Sequence, residues 1–101
     1  MKFFYVYILQ SINFPDRHYT GFTEDLLSRL EKHNSGQCPH TSKFKPWKIN
    51  TAISFDSKEK AMDFEKYLKS HSGRAFAKKH FEQPAGKPLK VRNRPLLKLL
   101  N

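Results

Sequence analysis

The run Phe3-Phe4-Tyr5-Val6-Tyr7-Ile8-Leu9 restricts the fold more than any other segment, because it is aromatic or aliphatic throughout, with no polar residue to face water. Such a strand has to be covered on both sides, which places it in the middle of a sheet packed between layers. Alternation puts Phe3, Tyr5, Tyr7 and Leu9 on one face and Phe4, Val6 and Ile8 on the other. The run is too short to span a membrane, and no small-residue cleavage site follows it.

Asn13, Pro15 and Asp16 supply turn chemistry, so His18 to Phe22 is predicted to return as an antiparallel strand, with Gly21 marking a close backbone approach. Thr23 reads as the N-cap of a helix from Glu24 to Asn34, closed by Gly36. Gln37 to Pro46 reads as a basic loop, and Trp47 to Phe55 as a third strand with Ile49, Thr51, Ile53 and Phe55 on one face. Asp56 with Glu59 suggests a capped second helix reaching about Ser70. Ser72-Gly73 should break it before a short helix from Arg74 to Phe81.

A chain of 101 residues has room for one compact domain, assigned to residues 1–83. Residues 84–101 change character, with Pro84, Pro88 and Pro95, five basic side chains and no acidic one. This reads as a tail whose Leu96-Leu97 and Leu99-Leu100 could dock on the core or on a second chain. Nineteen Lys and Arg against nine Asp and Glu give a net charge of +10, which favours polyanionic partners, nucleic acid before anionic membrane. Charge of this kind also serves plain solubility. Cys38 is the single cysteine, which excludes an intrachain disulfide and fits a reducing cytosol. A zinc site from His33, Cys38 and His40 lacks the paired spacing of real zinc ligands.

Several polar residues fall where packing alone would not put them. Glu65 lies inside the apolar arc defined by Ala61, Met62, Phe64 and Leu68. A carboxylate there needs a cation, a metal ion or a water-filled cleft, and an i,i+4 pair with Lys69 is worth only about 0.2–0.5 kcal/mol. On the first helix, Leu26, Leu27 and Leu30 form the apolar face while Arg29 and His33 lie together at its edge, spaced to aim donors at one phosphate. Tyr7 and Tyr19 carry phenols into otherwise apolar strands, where a buried hydroxyl needs a partner. Were these five residues to converge on one sheet face, the combination would suit phosphodiester chemistry.

The order Tyr5-Val6-Tyr7, then Tyr19-Thr20-Gly21 twelve residues on, then Arg29, His33 and Glu65, resembles the GIY-YIG nuclease superfamily. The resemblance continues through "TGFTEDLLSRLEKHNSG", "KPWKI" and "EKYLKSHSGRAF", covers roughly residues 3–82, and is similar to small stand-alone bacterial members and to the N-terminal catalytic domain of the excision-repair nuclease subunit. Tyr5 stands where the name motif has glycine, and Thr20 where it has isoleucine; neither change removes a reacting group. The family's late asparagine has no clear counterpart in Asn93 or Asn101.

The resemblance implies an α+β fold, a three-stranded antiparallel sheet flanked by helices. It also implies a metal-dependent nuclease in which Glu65 holds one Mg²⁺ or Mn²⁺ ion and Arg29 neutralises the transition state. Tyr7 would orient or deprotonate the attacking water, assisted by Tyr19 and His33, with the order of proton transfers open. Around that centre Lys43, Lys45, Lys48, Lys69, Arg74, Lys78, Lys79 and His40 are expected to form a surface that tracks phosphates, and Trp47 could stack on an exposed base. DNA is expected before RNA, with structure preference and a setting in repair or recombination, in the cytoplasm and away from membranes. A homodimer cutting both strands is compatible with the sequence. The competing expectations are a non-catalytic nucleic-acid-binding module on the same fold and an adaptor acting through the tail.

Overall fold

The computed structural model describes residues 2–82, so the tail reading and the two late asparagines lie outside the described residues. Three strands, β1 (Phe4–Ser11), β2 (His18–Thr23) and β3 (Trp47–Phe55), form an antiparallel sheet in the order β2-β1-β3. The helices are α1 (Leu26–Asn34), α2 (Pro39–Ser42), α3 (Lys58–Leu68) and α4 (His71–His80). The unbroken apolar run is the central strand, as its composition requires.

Each face of β1 builds its own core. Val6 and Ile8 pack with Ala61 and Leu68 of α3 and Ala77 of α4, joined by Phe4, Phe22, Phe55 and Phe64. Tyr7 and Leu9 pack on the other side with Trp47, Tyr19, Phe44, and Leu26 and Leu30 of α1. Burying a side chain such as Ile8 or Leu68 stabilises the fold by about 1.5–3 kcal/mol, so both layers hold the central strand in place.

Several local expectations give way to tertiary context. The register of β1 with β3 slips between Ile8, opposite Thr51, and Leu9, opposite Ile49, which leaves Asn50 as an extra residue. This bulge turns Ile49 toward the α1 side while Phe55 stays on the α3 side, so β3 does not present its apolar residues on one face. Asp25, not Thr23, caps α1 by accepting from Ser28 N, and the Thr23 hydroxyl accepts from Asp25 N instead. Ser57 replaces Asp56 as the cap of α3. Leu27 is 72% exposed and Met62 is also exposed, so neither belongs to the buried arc of its helix. The presumed basic loop contains α2, led by Pro39.

Ser72-Gly73 does not break a helix. Ser70 caps α4 by accepting from Gly73 N at 3.2 Å, and Gly73 is buried inside α4 against the end of α3. A Cβ there would overlap the Tyr67 carbonyl and lie 2.6 Å from the Leu68 Cα, so glycine lets the two helices touch through their backbones. The far end of α4 is tied to β2, because Glu82 lies 3.7 Å from His18 Nδ1 and 3.3 Å from Arg74 Nη1.

Candidate active site

Tyr7 projects from the middle of β1 into the layer beneath α1, opposite Gly21 on β2 and Ala52 on β3. The predicted close approach at Gly21 has a specific cause: a side chain there would occupy the space of the Tyr7 ring. The Tyr7 hydroxyl reaches His33 Nε2 at 3.1 Å. Tyr19 packs alongside, its ring centroid 4.8 Å from that of His33 and 6.3 Å from that of Tyr7.

His33 stands on the last turn of α1 and is 1% exposed. Its Nδ1 lies 2.8 Å from Thr41 Oγ1 on α2, and that hydroxyl donates to the Cys38 carbonyl at 3.3 Å. The network assigns the tautomer. With its proton directed to Cys38, Thr41 accepts from His33 Nδ1–H, leaving the Nε2 lone pair to accept from Tyr7. Burial, with the Arg29 cation second, holds the imidazole below its ordinary pKa and so in this neutral form. His33 is therefore an acceptor for the tyrosine proton and not the phosphate donor expected from its spacing with Arg29. Both of its nitrogens are engaged, which also removes it from a zinc site with Cys38 and His40.

Two further bonds hold α1 and α2 in register with β3. Asn34 clasps the backbone of Trp47, accepting from its N–H at 2.5 Å and donating to its carbonyl at 3.1 Å. Trp47 Nε1 donates to the Thr41 carbonyl at 2.8 Å. Trp47 is 4% exposed, so it is a packing residue and cannot stack on a base. Thr41, which fixes this tautomer, is not among the residues the sequence singles out. Its only advance signal was the Pro39-His40-Thr41-Ser42 turn, in which the exposed His40 drew attention instead.

Burial, reinforced by Tyr19, pushes the Tyr7 phenol well above the ordinary tyrosine value of about 10; Arg29 opposes this, while Cys38 and Glu65 add to it. Tyr7 is thus a protonated phenol in the free protein, within electrostatic reach of both Arg29 and Glu65. Arg29 also lines a cleft of about 320 Å³ with Thr23, Asp25, Ser28 and Lys32, next to the tyrosine-histidine cluster but not lined by it.

Glu65 comes from α3, on the opposite side of the sheet. Its side chain is 22% exposed, and one oxygen accepts from Lys69 Nζ at 2.9 Å. The i,i+4 pair is therefore real, but it engages one oxygen of a carboxylate that also acts on Tyr7. No described residues form a group of three or more His, Cys, Asp or Glu able to enclose a metal. A lone carboxylate fits a hard ion such as Mg²⁺, which keeps several waters and takes its remaining ligands from substrate phosphates.

The expected basic surface divides in two. His40, Lys43, Lys45 and Lys48 are exposed on and around α2 and the start of β3, on the Tyr7 side, whereas Lys78 and Lys79 lie on α4 on the other. Arg74 is engaged by Glu82, and Lys69 by Glu65.

A family model described as the GIY-YIG catalytic domain matches residues 3–84. The chain belongs to the GIY-YIG family. It is 37% identical over 70 residues to the UPF0213 protein YsiG of Lactococcus lactis, covering 68% of this chain but only 65% of that relative's length. The UPF0213 protein SpyM3_1077 of Streptococcus pyogenes is 35% identical over 72 residues, 70% of this chain and 76% of that one. The structure-specific endonuclease subunit SLX1 homolog of Giardia intestinalis is 34% identical over 65 residues, 60% of this chain and 18% of that one. The solution NMR structure of the UPF0213 protein BH0048 from Bacillus halodurans shares 30% identity, with a TM-score of 0.40 and coverage of 98% of this chain and 85% of that one. The α+β sheet-and-helix fold and the family resemblance read from the sequence both stand.

Proposed function

We propose that this GIY-YIG protein hydrolyses phosphodiester bonds in DNA in preference to RNA, with one divalent ion, Mg²⁺ or Mn²⁺, bound by Glu65. The observation that carries this reading is the hydrogen-bonded series Tyr7, His33, Thr41, whose phenol and imidazole both feel the Arg29 cation. Structure-selective cutting in repair or recombination, in the cytoplasm, is the setting we assign. The name of the Giardia relative supports the structure-selective part.

The protonated state of Tyr7 fixes its chemistry. As a water attacks phosphorus, its proton passes to the phenol oxygen while the phenol proton passes to His33 Nε2, giving an imidazolium that still donates from Nδ1 to Thr41. Tyr7 ends the step protonated, so no free phenolate is required. The leaving oxygen takes a proton from solvent, and His33 then gives its proton back to the Tyr7 oxygen as the phenol releases the one it took from water to solvent, which resets both groups. Arg29 places fixed positive charge where the phosphoryl oxygens gain negative charge, and that charge in turn relieves its repulsion of the imidazolium. When bound, the divalent ion supplies Lewis acidity at the scissile phosphate and the leaving oxygen.

The test uses end-labelled single-stranded, duplex and branched DNA with Mg²⁺ or with EDTA. Cleavage by the natural chain should need the metal, fall about 10²–10⁴-fold in Tyr7→Phe, and vanish in Glu65→Ala. Tight, salt-sensitive binding with no cleavage of any substrate, RNA included, would assign the chain to the non-catalytic binding module instead.

A further inference from the structure

The hairpin tip between β1 and β2 carries an aromatic ring that the core does not use. Phe14 is 50% exposed, and Ile12 beside it is equally open. Phe14 nevertheless has a fixed backbone. Its N–H donates to Ser11 Oγ at 3.0 Å, its carbonyl accepts from Arg17 N at 2.8 Å, and the Ser11 hydroxyl, 1% exposed, donates to the Phe44 carbonyl at 2.7 Å. Ile12 N donates to the Pro46 carbonyl, which joins the same tip to the α2–β3 connection.

Phe44, the neighbour of this ring, carries two cations. Phe14 stands at 76° to Phe44, with centroids 5.4 Å apart, and over Phe44 lie the Arg17 guanidinium at 4.8 Å and the Lys43 ammonium at 5.8 Å. Among the described residues neither Arg17 nor Lys43 has a carboxylate in ion-pair range. A cleft of about 430 Å³ runs along Asn13 to Arg17 at the same tip. Phe44 also belongs to the cluster that holds Tyr7 and Tyr19, so the tip and the reacting phenol lie in one layer. From Tyr7 to Ser11 the strand rises by roughly 13 Å.

A half-exposed ring set edge-on to a second ring that carries two cations, neither with a carboxylate partner among the described residues, suits a base with an open face, flanked by phosphates. Bases paired within a duplex are held in the stack, so an unpaired base of this kind is found in single strands, flaps and junctions. We propose that Phe14, with Arg17 and Lys43, is a stacking platform that grips an unpaired base of the substrate and directs this protein to single-stranded or flapped nucleic acid. The proposal rests on the nuclease reading for the class of its partner.

The test measures binding separately from cutting. The full chain carrying Tyr7→Phe is titrated by fluorescence anisotropy against a labelled single strand, a blunt duplex and a flapped duplex. A single strand containing 2-aminopurine reports stacking directly. Phe14→Ala should weaken the single strand and the flap about tenfold or more, leave the blunt duplex within twofold, and abolish the 2-aminopurine quenching, while Phe14→Trp restores all three. Equal weakening of every ligand, no weakening of any, or a change in self-association in place of affinity would overturn it. The nuclease reading fails independently: a Phe14-dependent preference in a chain that cuts nothing would leave the platform standing and remove the enzyme.

Discussion

The hydroxyl of Tyr7 and Nε2 of His33 are 3.1 Å apart, although 26 residues separate them in the chain and the imidazole has no other use for that nitrogen. Its direction depends on a third residue, because Thr41 holds the proton on Nδ1 and keeps Nε2 free to accept.

Thr41 is accordingly a positioning residue with a measurable signature. Thr41→Val keeps the shape and leaves His33 Nδ1–H without a partner, which should cost about 1–3 kcal/mol in urea unfolding. Turnover should drop by about tenfold or more with KM little changed, and Thr41→Ser should restore most of it. Natural turnover in Thr41→Val would show that the tautomer is fixed some other way.

Acid should weaken the fold through His33. Its pKa is held below the free value of about 6.5, so between the two values the unfolded chain binds more protons than the folded one. The stabilisation is complete above the unfolded pKa and declines as pH falls through the folded one. Urea midpoints measured from pH 7 to pH 4.5 should show a slope that is reduced in His33→Gln. An unchanged slope in that variant would place the acid sensitivity elsewhere.

The two tightly packed glycines should fail differently. Gly21→Ala intrudes on the Tyr7 ring, so we expect activity to collapse with a stability loss of about 1–3 kcal/mol. Gly73→Ala drives backbone against backbone at the α3–α4 junction, far from the phenol, and should lower the Tm more while the folded fraction keeps its activity per molecule. Thermal unfolding beside activity per folded molecule separates them.

Lys69 should tune the metal requirement. Its ammonium occupies one oxygen of Glu65 in a half-exposed pair worth at most about 1 kcal/mol. Lys69→Met should therefore alter stability little and lower the Mg²⁺ concentration that half-saturates cleavage. A raised requirement would show that Lys69 helps to hold the substrate phosphate instead.

The fold was legible where one pattern decided the outcome. The unbroken Phe3 to Leu9 run could only be a central strand, and its alternation correctly assigned Tyr7 and Val6 to opposite cores. Legibility ended where a distant partner changed the meaning of a local signal. Thr23 has the chemistry of a cap, but Asp25 is two residues better placed. Gly73 has the chemistry of a helix breaker and serves as a close-packing site. Nothing local announces the bulge at Asn50, because it answers to the register of β1. In the site, Tyr7 and Tyr19 are readable as phenols in apolar strands, whereas His33 reads with Arg29 as a donor pair at a helix edge and is buried only because α2 covers it. Thr41 is not readable at all, since a threonine in a turn is unremarkable until its neighbour is known to be a buried histidine.

The placement of Tyr7 on β1 has a dynamic consequence. A strand bonded on both edges and covered on both faces exchanges its amide hydrogens only when the whole domain opens, whereas short helices such as α2 open at much lower free energy. The phenol is thus carried by the stiffest part of the molecule, and the hydroxyl that orients its proton acceptor by one of the softest. Deuterium uptake at Thr41 should therefore run far ahead of that at Tyr7, and any ligand that closes this gap acts by quieting α2.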